Sequence, residues 1–159
     1  MIFATVGSTQ IPFERFVRAL EQLPGEQMLV QHGPVEPPGG AARASAFMQF
    51  PEVIESMEAA DVVVCHAGAG SILCALRSGH TPVVVPRLRR FDETVDDHQL
   101  EFSRALAAEG KVIAVEDLSR LAGAVEAAPS RRQTGERGGR LLPIQVAVRG
   151  ALQASPIPA

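Results

Sequence analysis

The chemical possibilities of this chain concentrate in His66-Ala67-Gly68-Ala69-Gly70-Ser71, a run of small residues directly after the apolar stretch Val62 to Cys65. Small residues let backbone N–H groups approach a ligand closely. Where such a turn opens a helix, the helix N-terminus adds about half a positive charge and unpaired donors. That suits a diphosphate held without metal, with Gly68, Ala69, Gly70 and Ser71 as the cradle. Taken alone, a Gly-x-Gly turn after a strand is equally a tight packing corner. Three other polar loops follow apolar runs: Gly7-Ser8-Thr9-Gln10, Gln31-His32-Gly33, and Pro86 to His98. The last carries Arg87, Arg89 and Arg90. A solvated loop is the ordinary reading of such a cluster; the sharper one has an arginine neutralise a diphosphate or grip a sugar carboxylate bidentately.

Several chemistries are disfavoured by what stands beside these residues. Gly68 and Gly70 begin a dinucleotide frame, but Leu73 occupies its third glycine position. The next strand ends at Pro86-Arg87 rather than in an acid that could hold a ribose, so an NAD-type reading ranks third. The chain has no G-x-x-x-x-G-K-[ST] phosphate loop and no G-x-S-x-G nucleophile elbow. Cys65 and His66 are strand neighbours on opposite faces, against a nucleophilic dyad. Asp96, Asp97 and His98 crowd one helix turn and do not converge on a metal, so no metal or cofactor is expected; Asp97 is equally a plain helix cap.

The elements that must hold these loops alternate between strand and helix. Ile2 to Val6, Met28 to Gln31, Ala46 to Phe50, Val62 to Cys65, Val83 to Val85 and Val112 to Val115 read as strands. The continuous valine runs suit strands covered on both faces of a parallel sheet. Pro12 opens a helix with Phe13, Phe16, Val17 and Leu20 on one face, and Pro51 one with Val53, Ile54 and Met57. Ser71 to Ser78 is a helix stopped by Gly79. Asp96 with Gln99 has the form of a capping box, opening a helix through Leu106 to Gly110. A last helix carries Leu118, Leu121, Ala122 and Val125. Such repetition with short connections specifies a doubly wound, Rossmann-like parallel α/β sheet, whose ligands lie beyond the carboxyl ends of the strands.

Composition sets the outer bounds. The chain has 159 residues, 46% of them hydrophobic and 21% charged, enough for one domain with a core. A net charge of −3 leaves no global field for nucleic acid. The opening apolar run is too short for a signal or membrane segment, so a cytoplasmic protein is expected. Two cysteines nine apart, Cys65 and Cys74, suit reduced, buried thiols. We place the domain at 1–128 and a basic, Pro/Gly-containing tail at 129–159, loosely docked or disordered, with one weak helix over 141–152.

The linked pieces Ile2-Phe-Ala-Thr-Val-Gly-Ser-Thr-Gln-Ile-Pro-Phe13, Ala60-Asp-Val-Val-Val-Cys-His-Ala-Gly-Ala-Gly-Ser71, Pro82-Val-Val-Val-Pro-Arg87 and Asp96-Asp-His-Gln99 cover residues 1 to about 125 in order. In this the chain resembles the C-terminal, donor-binding half of glycosyltransferase family 28. The resemblance is nearest to the small subunits of split transferases that build exopolysaccharides on lipid-linked sugars. It implies one half of a GT-B transferase using a UDP-sugar, with inversion and no obligatory metal. By position, Gly7, Ser8 and Thr9 would face the cleft and Gln31 and Gly33 the nucleobase. His66, Gly68, Ala69, Gly70 and Ser71 would meet the diphosphate, and Asp97, His98 and Gln99 the sugar and phosphates. Arg87 is the arginine assigned to the donor. Several relatives place a ribose-gripping glutamate where Cys74 stands; a thiol is a poor acceptor, so that contact is expected from the 97–101 segment, with Glu101. The resemblance further implies a membrane-anchored partner subunit that holds a polyprenyl-diphosphate-linked acceptor and recruits this chain to the inner membrane face. The catalytic base is not identified. A non-catalytic nucleotide-sugar sensor or regulatory subunit would use the same cleft.

Overall fold

A computed structural model describes residues 1–128 of the protein. The tail expected at 129–159 and its helix lie outside the described residues. Six strands form one parallel sheet: β1 Ile2–Thr5, β2 Met28–Gln31, β3 Arg43–Ser45, β4 Val62–His66, β5 Val83–Val85 and β6 Ile113–Ala114. Their spatial order is β3-β2-β1-β4-β5-β6. Chain order reverses between β1 and β4, so the doubly wound expectation holds and the topological switch point lies between these two central strands. Their register pairs Ile2 with Val62 and Thr5 with Cys65.

Alternation along each strand feeds two cores. Ile2 and Ala4 of the first strand and Val6 just after it, with Val62, Val64, Val83 and Val85, face α1 (Glu14–Ala19) and α5 (Leu121–Ala127) through Phe13, Phe16, Val17, Leu20, Leu121 and Val125. Phe3 and Val63 face the other way, onto Met57 of α2 (Phe50–Ala59) and Ala75 of α3 (Ala69–Arg77). Cys65 and Val84 meet Ile72 and Leu106, the latter on α4 (His98–Ala108). Burial on both faces explains why the central strands are unbroken valine runs.

Helix ends follow local chemistry. Gly79 and Gly110 stand at φ +82° and +70°. After each, the next residue's N–H reaches five residues back, His80 to Ala75 and Lys111 to Leu106, closing the left-handed terminator. At the start of α2, the Gln49 N–H donates to Glu52 at 2.8 Å, one arm of a capping box.

Two expectations need correction. The third strand is Arg43–Ser45, not Ala46 to Phe50. Ser45 Oγ donates to the Phe47 carbonyl at 3.0 Å, turning the chain, and Phe50 already begins α2. As an edge strand with a single neighbour, β3 needs no apolar side chains, so its sequence carries no strand signal. The Asp96/Gln99 capping box does not form: Asp96 accepts the His98 N–H at 3.1 Å, but Gln99 turns to the Arg87 N–H instead. Asp97 occupies the N-cap position without capping. Cys65 is buried as expected, whereas Cys74 is only half-buried; both are free thiols.

Packing of the second core predicts a sharp contrast within α2. Met57 is fully buried and Phe50 is 67% exposed. Met57→Ala is expected to cost about 2–5 kcal/mol and Phe50→Ala less than about 0.5 kcal/mol in urea unfolding.

Candidate functional site

The loops named from the sequence gather at the carboxyl ends of β1, β2, β4 and β5, around the switch point. The most constrained feature there is the His66 imidazole, which ends β4 and occupies the space of two absent side chains. A Cβ on Gly7 would lie 2.4 Å from His66 Cε1, and one on Gly68 would lie 2.2 Å from Nε2. No real Cβ tolerates either distance, so both glycines are required by the ring itself. Gly7 also needs its φ of +84°.

The imidazole is held neutral. Burial, then the charge of the Arg87 guanidinium, pushes its pKa down to about 4, partly opposed by the Thr5 backbone. Its Nδ1 is buried with no hydrogen-bond partner among the described residues. An unsatisfied buried polar atom beside a helix start is a place where a ligand can complete the bonding.

That helix start belongs to α3. Gly68 is its N-cap, extended at φ −76° and ψ 132°, with no side-chain cap bond. Ala69, Gly70 and Ser71 form the first turn, so their amides point out of the helix without intrahelical acceptors. A Cβ on Gly70 would meet nothing within 4 Å. The cradle residues expected from the sequence thus sit together, next to the His66 ring and across from Gly7.

Gln31 and Gly33 lie on the β2 side, in a more structural setting than the sequence suggested. Gln31 is buried and its Oε1 accepts from Thr5 Oγ1 at 2.6 Å, while Thr5 Oγ1 accepts the Gly7 N–H at 3.0 Å. This Thr5 relay fixes the Gly7 turn to β2; a threonine at the end of an apolar strand gave no sign of it. Gly33 has φ +67°, and a Cβ there would press on Val6 at 2.9 Å. Ser8 is exposed, and the Thr9 hydroxyl accepts the Ile11 N–H at 3.2 Å.

The loop after β5 departs most from expectation. Arg87 is not solvated: it is 2% exposed, with its guanidinium turned into the protein over the Phe13 ring at 4.4 Å. Only Arg89 and Arg90 are exposed, in a short 3-10 turn. Asp97 accepts the Arg89 N–H at 3.1 Å and Gln99 the Arg87 N–H at 3.1 Å, so these side chains fasten the loop. His98 projects outward, 3.6 Å from Asp96. Glu93 was not singled out from the sequence, yet it is buried and holds Arg15 through two bonds of 2.9 Å. No short-range spacing encodes that partnership. Cys74 packs with the Phe3 and Met57 cluster, its thiol pushed up by burial, and Glu101 is exposed on α4. The Cys65 thiol is pushed up to about 12 by burial, which leaves it inert. Among the described residues no three His, Cys, Asp or Glu side chains group to hold a metal, and no helix is long and apolar enough to cross a membrane.

Comparison with known proteins places this geometry in a family. The model of the glycosyltransferase family 28 C-terminal domain matches residues 1–137. The UDP-N-acetylglucosamine transferase subunit ALG13 of Yarrowia lipolytica is 30% identical in an alignment of 122 residues, with coverage of 67% of this chain and 60% of that protein. The chain therefore spans well under two thirds of that relative. Among solved structures, the glycotransferase of kitacinnamycin superposes with a TM-score of 0.62 at 21% identity, covering 96% of this chain and 39% of that one. The glycosyltransferase SnogD from Streptomyces nogalater gives 0.52 at 21% identity, covering 97% and 43%. These two likenesses establish the fold, and the match over residues 1–137 establishes the membership: the chain belongs to the glycosyltransferase family 28 C-terminal domain family.

Proposed function

We infer that this chain is the donor-binding half of a GT-B glycosyltransferase, taking a UDP-sugar at the switch point and transferring the sugar with inversion. The observation that carries the reading is the N-terminus of α3 beside the unpartnered Nδ1 of His66, between the glycine turns at 7 and 68. Amides of Gly68 to Ser71 would receive the diphosphate, with His66 completing its missing bond on the same ligand. Gly7, Ser8 and Thr9 would line the opposite wall, Gln31 and Gly33 the nucleobase end, and His98 the sugar end. Asp97 and Gln99 would act by holding the 87–89 loop, and Arg87 from behind the wall.

Membership in the family and the relative named as a transferase subunit support this reading. A GT-B site needs two lobes. By likeness to that transferase subunit, we assign the acceptor, a polyprenyl-diphosphate-linked sugar, to a second, membrane-associated chain that recruits this cytoplasmic one and completes the site for exopolysaccharide synthesis. Calorimetric titration with UDP, UDP-N-acetylglucosamine, UDP-glucose and NAD tests the first part. Heat with the uridine compounds and none with NAD is expected; no heat with any uridine compound, alone or with the partner, overturns it. Donor-dependent product on adding partner and lipid acceptor separates a transferase half from a sensor, which binds but yields none.

Two further outcomes follow from the glycines and the histidine. Gly70→Ala has room in the protein and removes a flexible residue from a helix, so stability should hold or rise by about 0.5–1 kcal/mol. The added methyl would stand in the cradle, so UDP affinity should fall. Gly68→Ala, forced against His66, should lose both stability and UDP binding. Matched thermal melts and UDP titrations check the pair.

His66 also ties stability to pH. Its pKa lies near 4 in the folded protein against 6.5 when unfolded, so in the interval between them the unfolded chain binds the extra proton. The His66 contribution is present above about pH 6.5 and is lost as pH falls toward about 4, by up to about 3 kcal/mol. Urea unfolding across that interval should show the decline in the wild type and a flatter profile in His66→Asn.

A further inference from the structure

The donor-site reading leaves the chemistry of the Arg87 side chain unused, and its setting is costly. Nη1 donates to the carbonyls of Pro12 at 2.9 Å and Glu93 at 3.4 Å, and Nη2 to that of Val6 at 3.5 Å. Nε is buried with no acceptor among the described residues. None of these partners is a carboxylate. The nearby Glu93 carboxylate is occupied by the Arg15 guanidinium and by the Leu88 N–H at 3.0 Å. Phe13 lies between the two cations, 5.4 Å from Arg15 Cζ and 4.4 Å from Arg87 Cζ. Arg15, Glu93 and Arg87 thus leave one positive charge in excess within the protein.

A buried charge solvated mainly by carbonyls is destabilising relative to an apolar side chain of similar shape, which would also pack on Phe13. Packing alone therefore does not explain an arginine. Its position does. The guanidinium reaches Val6 just past the end of β1, and its field is felt at His66 on the end of β4, the two strands that flank the switch point. A surface charge there would be screened within about a Debye length; a buried one is screened far less.

We propose that Arg87 is a positioning residue for an anionic ligand, its buried, carbonyl-bound charge attracting a nucleoside diphosphate to the mouth between β1 and β4 without touching it. The inference rests on the donor-site reading and adds the source of the positive potential, which is internal rather than supplied by the exposed Arg89 and Arg90.

Calorimetry with UDP and with uridine separates charge from scaffolding, because the nucleoside shares the base and ribose contacts but carries no phosphate. For the full chain, Arg87→Met is expected to lose about tenfold in UDP affinity with uridine affinity unchanged, as for one charge acting at a distance through protein. Arg87→Lys keeps the charge and should restore most of the UDP affinity. Equal losses for UDP and uridine, or no loss for UDP, overturn the inference. Should Arg87→Met fail to fold, the wild type decides: its preference for UDP over uridine should survive a rise from about 0.05 to about 0.5 M NaCl, where exposed charges are screened. Collapse of that preference assigns it to surface arginines and overturns the inference. Wild-type protein that binds neither compound overturns the donor-site reading itself, whereas wild-type binding with an unaffected Arg87→Met overturns only the role of Arg87.

Discussion

Space at the ends of the two central strands is the constraint on which the rest of the site depends. The His66 ring fills the positions that Cβ atoms at Gly7 and Gly68 would take. This single interlock joins the turn after β1 to the turn after β4 across the switch point. It gives the ring a half-buried, neutral state and leaves the first turn of α3 uncovered. Thr5 carries the same constraint outward, receiving the Gly7 N–H and donating to Gln31, so that β2 is tied into the arrangement. The crevice is therefore a consequence of sheet order.

Charge is arranged around that interlock with the same economy of contacts. The loop after β5 is held by Arg15 on Glu93 and by Arg87 on three carbonyls, and the first turn of α4 adds Asp97 and Gln99 on the N–H groups of Arg89 and Arg87. Most of these bonds end on the backbone, which fixes the chain path rather than a single side chain. Their consequence for His66 is direct: a guanidinium buried nearby adds to desolvation in keeping the imidazole uncharged.

The fold was legible in the sequence because its strongest signals come from burial. Val62 to Cys65 and Val83 to Val85 are apolar on both faces, and Gly79 and Gly110 mark left-handed helix ends, so the central strands and their helices read directly. The strand at Arg43–Ser45 was not legible, since an exposed edge strand makes no apolar demand and the apolar residues Phe47 and Met48 just beyond it imitate one. At the site, the cradle was readable because helix start and small residues are neighbours in sequence. Arg87 and Glu93 were not: whether an arginine after a strand points to solvent depends on Phe13 and Arg15, more than seventy positions away, and no local pattern carries that information.

These features divide the work of inverting transfer on the donor-site reading. Departure of a diphosphate needs donors and positive potential already in place, which on that reading the α3 amides and the buried guanidinium would supply. Deprotonation of the acceptor hydroxyl needs a base whose pKa lies near the working pH. In the free chain, burial and the Arg87 charge lower the His66 pKa to about 4. Asp97 and Gln99 are engaged with the backbone of the loop after β5. His98 remains, exposed beside Asp96. On the donor-site reading this domain would stabilise the leaving group and a complementary lobe would activate the nucleophile, the chemistry being shared between the two.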